Sequence, residues 1–195
     1  FPAIHKQAFT IFVTGGSQGA HAVNELLTKA IETMAEKLSA RGLNLEESLY
    51  VIHQTGVKDE CLVLTSYARA GIPARVMAFE REMANAFASA DIVVARAGAS
   101  TCFELAQCGK PALLIPLPTA LRNHQYYNAD CFAATGAADL GIQDKLTAEE
   151  ICRYLLRMYD NRDKLEDMSL KMRAMKYDNA SAKVADFVEE ICNVH

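Results

Sequence analysis

No C-x-x-C pair, no H-x-x-x-H pair and no long apolar run occurs in this chain of 195 residues, and each absence removes a class of protein. The six cysteines, Cys61, Cys102, Cys108, Cys131, Cys152 and Cys192, form no paired spacing, and several lie in apolar stretches. They read as reduced and mostly buried, the pattern of a cytosolic protein rather than a disulfide framework. The five histidines are scattered, so no metal site is legible and no cofactor is expected. No apolar run approaches the roughly 18 residues that cross a membrane, and no signal peptide is legible. The net charge is −4, whereas a surface built for nucleic-acid phosphates needs a concentrated basic face; no nucleic-acid partner is expected. A nucleophile–base pair, a carboxylate dyad and a cysteine beside a histidine are missing too, so no catalytic residue is assigned. The chain opens at Phe1 in "FPAIHKQ", which suggests a piece of a longer protein.

What is present is an alternation. Apolar strand-like runs ("FTIFVTGG", "LYVIHQTG", "ARVMAF", "DIVVAR", "PALLIP" and a short "AADLG") are separated by segments of helical periodicity. The first of these carries Val23, Leu26, Leu27, Ala30, Ile31, Met34 and Leu38 at helical spacing. "STCFELAQCG" stops at Gly109 and "NHQYYNADCFAATG" at Gly136, and Thr147 and Asn179 read as N-caps of later helices. Continuous apolar strands alternating with helices mean βαβ units and a parallel sheet covered on both faces. The expectation is one domain over 1–195. Its three-layer Rossmann-like α/β core would run from about 8 to 160, with a helical tail over 161–195.

In such a sheet ligands sit beyond the carboxyl ends of the strands, and three strand ends have suitable chemistry. In "VTGGSQGA", Gly15 and Gly16 allow a sharp turn and close backbone approach, Ser17 adds a hydroxyl, and the following helix offers unpaired N–H groups. The pattern is neither a P-loop nor G-x-G-x-x-G, and it fits a tight strand-to-helix turn as well as a phosphate site. In "ARAGASTCFELAQCG", Gly98 ends the strand and Ala99, Ser100 and Thr101 open a helix on which a diphosphate can rest. Glu104, four residues beyond Ser100, shares its face and can accept both hydroxyls of a ribose; the competing explanation is an acid placed in the first turn by the helix dipole. In "PTALRNHQYYNAD", Asn123, His124, Gln125 and Asn128 offer amide and imidazole groups suited to sugar hydroxyls, or else cap a surface helix. Three polar strand ends on one sheet favour a single nucleotide-sugar cleft.

The set GGSQGA, R-x-G-A-x-T-x-x-E and N-H-Q-x-x-N-A, spread from about Thr10 to the final helices, resembles the C-terminal half of the MurG family. These are the bacterial undecaprenyl-diphospho-muramoylpentapeptide N-acetylglucosaminyltransferases. The resemblance implies a GT-B glycosyltransferase whose C-terminal domain binds UDP-N-acetylglucosamine (UDP-GlcNAc). Its N-terminal domain, absent from this chain, would carry the lipid-linked acceptor site, and catalysis would invert the anomeric carbon at the cytoplasmic face of the bacterial inner membrane. By motif, Gly16 and Ser17 fall at the donor-contacting turn. Glu80, after Phe79, falls where a backbone group meets the uracil, although the family usually has an apolar residue there. Arg96 precedes the glycine, and Ala99, Ser100, Thr101, Cys102, Phe103 and Glu104 form the diphosphate and ribose segment, with Glu104 as the ribose carboxylate. Gln125 and His124 match the readers of the GlcNAc hydroxyls. The fragment alone is expected to bind donor and not to catalyse transfer.

Three other readings compete. The cytosolic subunit that makes dolichol-linked chitobiose is similar, but usually carries H-A-G-A-G-S where this chain has R-A-G-A-S-T. A dinucleotide-binding oxidoreductase requires an acid near the end of the second strand, which here reads "HQTG". A non-catalytic nucleotide-binding module on the same fold shares every motif.

Overall fold

The computed structural model describes residues 4–16 and 19–176. Ser17, the expected Asn179 cap and the last predicted helix, with Cys192, lie outside them. In chain order the elements are β1 (Phe9–Thr14), α1 (His21–Ala40), α2 (Leu45–Ser48), β2 (Leu49–Gln54), α3 (Glu60–Arg69), β3 (Ala74–Met77), α4 (Met83–Ser89), β4 (Ile92–Ala95), α5 (Ala99–Cys108), β5 (Ala112–Leu114), α6 (His124–Thr135), β6 (Ala138–Leu140), α7 (Ala148–Asp160) and α8 (Arg162–Ala174). The four-residue α2 was not expected. It starts because the Asn44 side chain accepts from Glu46 N–H, and it ends directly on β2.

The six strands are all parallel in the described sheet and lie in the order β3-β2-β1-β4-β5-β6. This order reverses direction between β1 and β4, where the crevice beyond the carboxyl ends opens. Alternation along β1 explains the two helical layers. Phe9, Ile11 and Val13 join a core built with α1, α3 and α7, including Leu27, Ile31, Tyr67 and Leu155. Phe12 faces the other side, with Phe87, Leu105 and Ala129. The helix α8 closes both layers: Leu165 and Met168 join the first core and Met172 the second. Thr147 caps α7 through a capping box, its hydroxyl accepting from Glu150 N–H (3.2 Å) while the Glu150 carboxylate accepts from Thr147 N–H (2.9 Å).

The cysteines depart from expectation. Cys102 and Cys152 are buried, but Cys61 and Cys131 are exposed and Cys108 is intermediate, and these five are free thiols. Cys61 and Cys131 sit on α3 and α6 at positions that helical spacing turns away from the two cores.

Candidate active site at the carboxyl edge of the sheet

The glycine turn after β1 is fixed by its own backbone. Gly16 N–H donates to the Thr14 hydroxyl (3.2 Å), and Gly19 N–H donates to the Gly16 carbonyl (3.0 Å). Gly16 and Gly19 have φ of +84° and +71°, and a Cβ on Gly19 would overlap the Thr55 carbonyl. The turn therefore needs these glycines whatever it binds.

The adjacent strand end belongs to β4. Gly98 starts α5, and no side chain caps its first turn; the same holds for α1, α3, α4 and α6. Helices α2, α7 and α8 are instead capped by Asn44, Thr147 and Asn161. The helix starts at the carboxyl ends of β1, β4 and β5 thus keep donors and a positive dipole end uncapped by side chains.

Glu104 is the sixth residue of α5, and no acid occupies the first turn. The expectation of a first-turn acid is corrected: the dipole fades within a turn and does not account for this carboxylate. Nor is α5 a wholly buried helix, since Ala99, Ser100, Phe103 and Glu104 are exposed along one side. Glu104 makes no hydrogen bond or ion pair among the described residues, and partial burial raises its pKa. Cys102 lies on the opposite side, buried in the second core, and burial pushes its thiol up to about 11. Its N–H donates to the Gly98 carbonyl (3.0 Å). Thr101 is half-buried between these two sides.

Arg96 points inward. One terminal nitrogen donates to the carbonyls of Ile115 (3.2 Å) and Pro116 (3.0 Å), and the other to Gln143 Oε1 (2.6 Å). It ties the ends of β4 and β5 to the loop after β6, and burial lowers its pKa. Asn128 Nδ2 donates to the Ala97 carbonyl (3.0 Å) and so docks α6 beside the β4 end.

The loop before α6 places Arg122 and Asn123 at φ of 51° and 55°, left-handed for two residues that are not glycine. Asn123 makes no side-chain cap, so the expected capped surface helix is not what the residues form. Gln125 Oε1 accepts from Leu117 N–H (3.0 Å), which leaves its Nε2 to donate outward. His124 Nδ1 lies 2.8 Å from the Leu121 carbonyl. A carbonyl only accepts, so Nδ1 carries the proton and Nε2 is the ring nitrogen left facing away from Leu121.

Glu80 is buried. Its Oε1 accepts from Glu82 N–H (2.8 Å), Oε2 lies 3.0 Å from Arg75 Nη2, and its own N–H donates to Gln54 Oε1 (3.1 Å). The side chain therefore turns into the protein, and the backbone N–H is taken by Gln54.

Sequence reasoning missed the polar network beneath the glycine turn. Asn24 of α1 donates from Nδ2 to the Thr55 carbonyl (2.7 Å) and to Asp59 Oδ2 (2.7 Å). Its Oδ1 faces His53 Nε2 (3.3 Å), and His53 Nδ1 faces the Tyr67 hydroxyl (3.0 Å). Because the Asn24 amide nitrogen is committed elsewhere, His53 Nε2 bears the proton and Nδ1 accepts from Tyr67. Full burial pushes the His53 pKa down to about 3. At the exposed end His21 meets Asp59 (2.8 Å), which raises the His21 pKa. The available signals were a histidine inside the apolar run of β2 and an asparagine on the inner face of α1.

The motifs thus converge on one edge. Across residues 10–191 the chain matches the family model described as the glycosyltransferase family 28 C-terminal domain. The chain belongs to this family. It is 36% identical over 188 residues to the UDP-N-acetylglucosamine–N-acetylmuramyl-(pentapeptide) pyrophosphoryl-undecaprenol N-acetylglucosamine transferase of Desulfotalea psychrophila, covering 96% of this chain and 49% of that protein. The enzyme of the same name from Myxococcus xanthus is 34% identical over 183 residues, covering 94% and 46%. The chain therefore spans about half the length of the relatives it matches. The crystal structure of Acinetobacter baumannii MurG superposes with a TM-score of 0.82 at 32% identity, over 94% of this chain and 52% of that one. A UDP-GlcNAc 2-epimerase from Neisseria meningitidis shares the fold at a TM-score of 0.64 and 14% identity. Among the described residues no helix is long and apolar enough to cross a membrane.

Proposed function

We propose that this chain is the donor-binding half of an inverting glycosyltransferase that uses UDP-GlcNAc and a lipid-linked muramoyl-pentapeptide acceptor. One observation carries the reading. The glycine turn, the uncapped α5 with Glu104 on its exposed side, and the Gln125–His124 pair occupy the carboxyl ends of β1, β4 and β5, three neighbours in the sheet. The diphosphate would rest on the first turn of α5, where Ala99, Ser100 and Thr101 add no bulk and the helix donates. A ribose held one turn further along would give its two hydroxyls to Glu104, which has no competing partner. The uracil would meet the Glu80 carbonyl, since the Glu80 N–H is held by Gln54. On the other side, Gln125 would donate to one sugar hydroxyl and His124 would accept from another, while Arg96 and Asn128 hold the walls in place. The same-named relatives support the choice of UDP-GlcNAc.

The acceptor site and catalytic base would belong to the other half of the enzyme, working at the cytoplasmic face of the bacterial inner membrane. This chain alone would bind donor and transfer nothing to lipid I. Calorimetric titration of the chain with UDP-GlcNAc, UDP-GalNAc and NAD tests the reading: saturable binding of the uridine nucleotides without NAD is expected. Tight NAD binding, or transfer to lipid I by the chain alone, refutes it.

A further inference from the structure

Gln54 is the last residue of β2 and 2% exposed, and no motif singled it out. Both ends of its amide are committed. Nε2 donates to the carbonyl of Gly16 in the turn after β1 (2.9 Å). Oε1 accepts from the N–H of Glu80 in the loop after β3 (3.1 Å). The strand carrying Gln54 lies between β1 and β3, so one planar amide spans the two loops that flank its own strand. Glu80 is anchored further by Glu82 N–H and by Arg75. On the other side, the Gly16 carbonyl also receives Gly19 N–H.

We propose that Gln54 is a positioning residue for the nucleotide, coupling the glycine turn after β1, beside the diphosphate site on α5, to the backbone segment at Glu80 beside the base. This rests on the donor-binding reading above. The fit is specific to glutamine. An acceptor alone leaves the part-buried Gly16 carbonyl with Gly19 N–H as its one remaining donor, and a donor alone leaves the buried Glu80 N–H unpaired. Asparagine is one methylene too short to reach both loops from the same strand position. A purely structural glutamine needs only satisfied hydrogen bonds. This one bonds to two loops that meet different parts of one ligand, so slack in either displaces a binding group without disturbing the core. Gln54 touches neither the base nor the phosphates; it acts by holding two backbone segments at a fixed separation, as preorganisation requires.

The test compares the unmodified chain with Gln54→Met, which keeps shape and loses both bonds, and Gln54→Glu at pH 5.5, where a buried carboxyl stays protonated and keeps one donor and one acceptor. Calorimetry with UDP and with uridine is paired with amide hydrogen exchange read without ligand. Gln54→Met should bind both UDP and uridine about five- to tenfold more weakly, and Glu80 N–H should exchange about tenfold faster. Gln54→Glu should restore both readouts. Unchanged affinities in Gln54→Met, even with a lowered unfolding midpoint, overturn the proposal and leave Gln54 a residue of the fold. Unchanged exchange at Glu80 overturns the coupling itself. If exchange follows the predicted pattern but the unmodified chain binds no UDP, the donor-binding reading fails, and a nucleotide role for Gln54 fails with it.

Discussion

Acidifying the protein from pH 7 to pH 5 should destabilise it by about 2 kcal/mol through one side chain, His53. Its ring is fully buried, neutral and hydrogen-bonded at both nitrogens, with a pKa of about 3 against the ordinary 6.5. In the unfolded chain it gains a proton as pH falls below 6.5, while the folded protein does not. The unfolded state therefore binds more protons throughout the window from about 6.5 to 3, and folding stability falls with falling pH at about 1.4 kcal/mol per unit. Integrated between pH 7 and 5, that is about 2 kcal/mol. His21 has the opposite sign: its raised pKa contributes stability below the ordinary value that is lost as pH rises above it. As pH falls from 7 it therefore opposes the His53 loss in the upper part of the interval and levels off below the ordinary value, and it cancels in the comparison of two chains that both carry His21. The Asp59 pKa is lowered, net of a burial penalty that the Asn24 and His21 hydrogen bonds outweigh, so its contribution is lost only at still lower pH. Urea denaturation at both pH values, for the chain and for His53→Asn, isolates the effect. The variant should be weaker at pH 7 but lose about 2 kcal/mol less on acidification. Equal acid losses in both would show that His53 is charged in the folded state, and the tautomer and network drawn from Asn24 and Tyr67 would be wrong.

Other consequences follow from single groups. Thr147→Ala removes the hydroxyl half of the α7 capping box and should cost about 1 kcal/mol in chemical denaturation. Arg96→Met strips the Ile115 and Pro116 carbonyls and Gln143 of their donor; a loss of about 2–3 kcal/mol is expected, with donor affinity lowered because the β5 loop loosens. If Glu104 accepts from a ribose diol it must be ionised, and its pKa is raised by burial. UDP affinity should then fall as pH drops through a value above the ordinary carboxylate range, and Glu104→Gln should remove that dependence in calorimetric titrations.

Much of the fold was legible because parallel strands buried on both faces must be nearly continuous apolar runs, which makes β1, β2, β4 and β5 stand out. The ends of α5 and α6 were legible because Gly109 and Gly136 both adopt the left-handed conformation that stops a helix. Directions of side chains were less accessible. Arg96 beside a glycine looks like a ligand contact, and only the β5 and β6 loops reveal that its terminal nitrogens bond to Ile115, Pro116 and Gln143. Cys102 falls inside the motif yet faces the core, because helical spacing turns it away from Ser100 and Glu104. Glu80 looked like a departure in a binding position, and burial against Arg75 shows where its carboxylate goes. The Gln54 and His53 contacts join residues 14 to 38 positions apart, and no local pattern encodes such pairs.

In the proposed donor complex Glu104 clamps a ribose whose diphosphate rests on the start of α5. Calorimetric titration of UDP into the chain and into Glu104→Ala tests it most directly. Loss of a carboxylate bonded to a diol should cost about 1.5–3 kcal/mol, a roughly ten- to hundredfold weaker affinity with the fold intact. Affinity unchanged by the substitution would contradict the claim and leave Glu104 as an exposed acid on a surface helix.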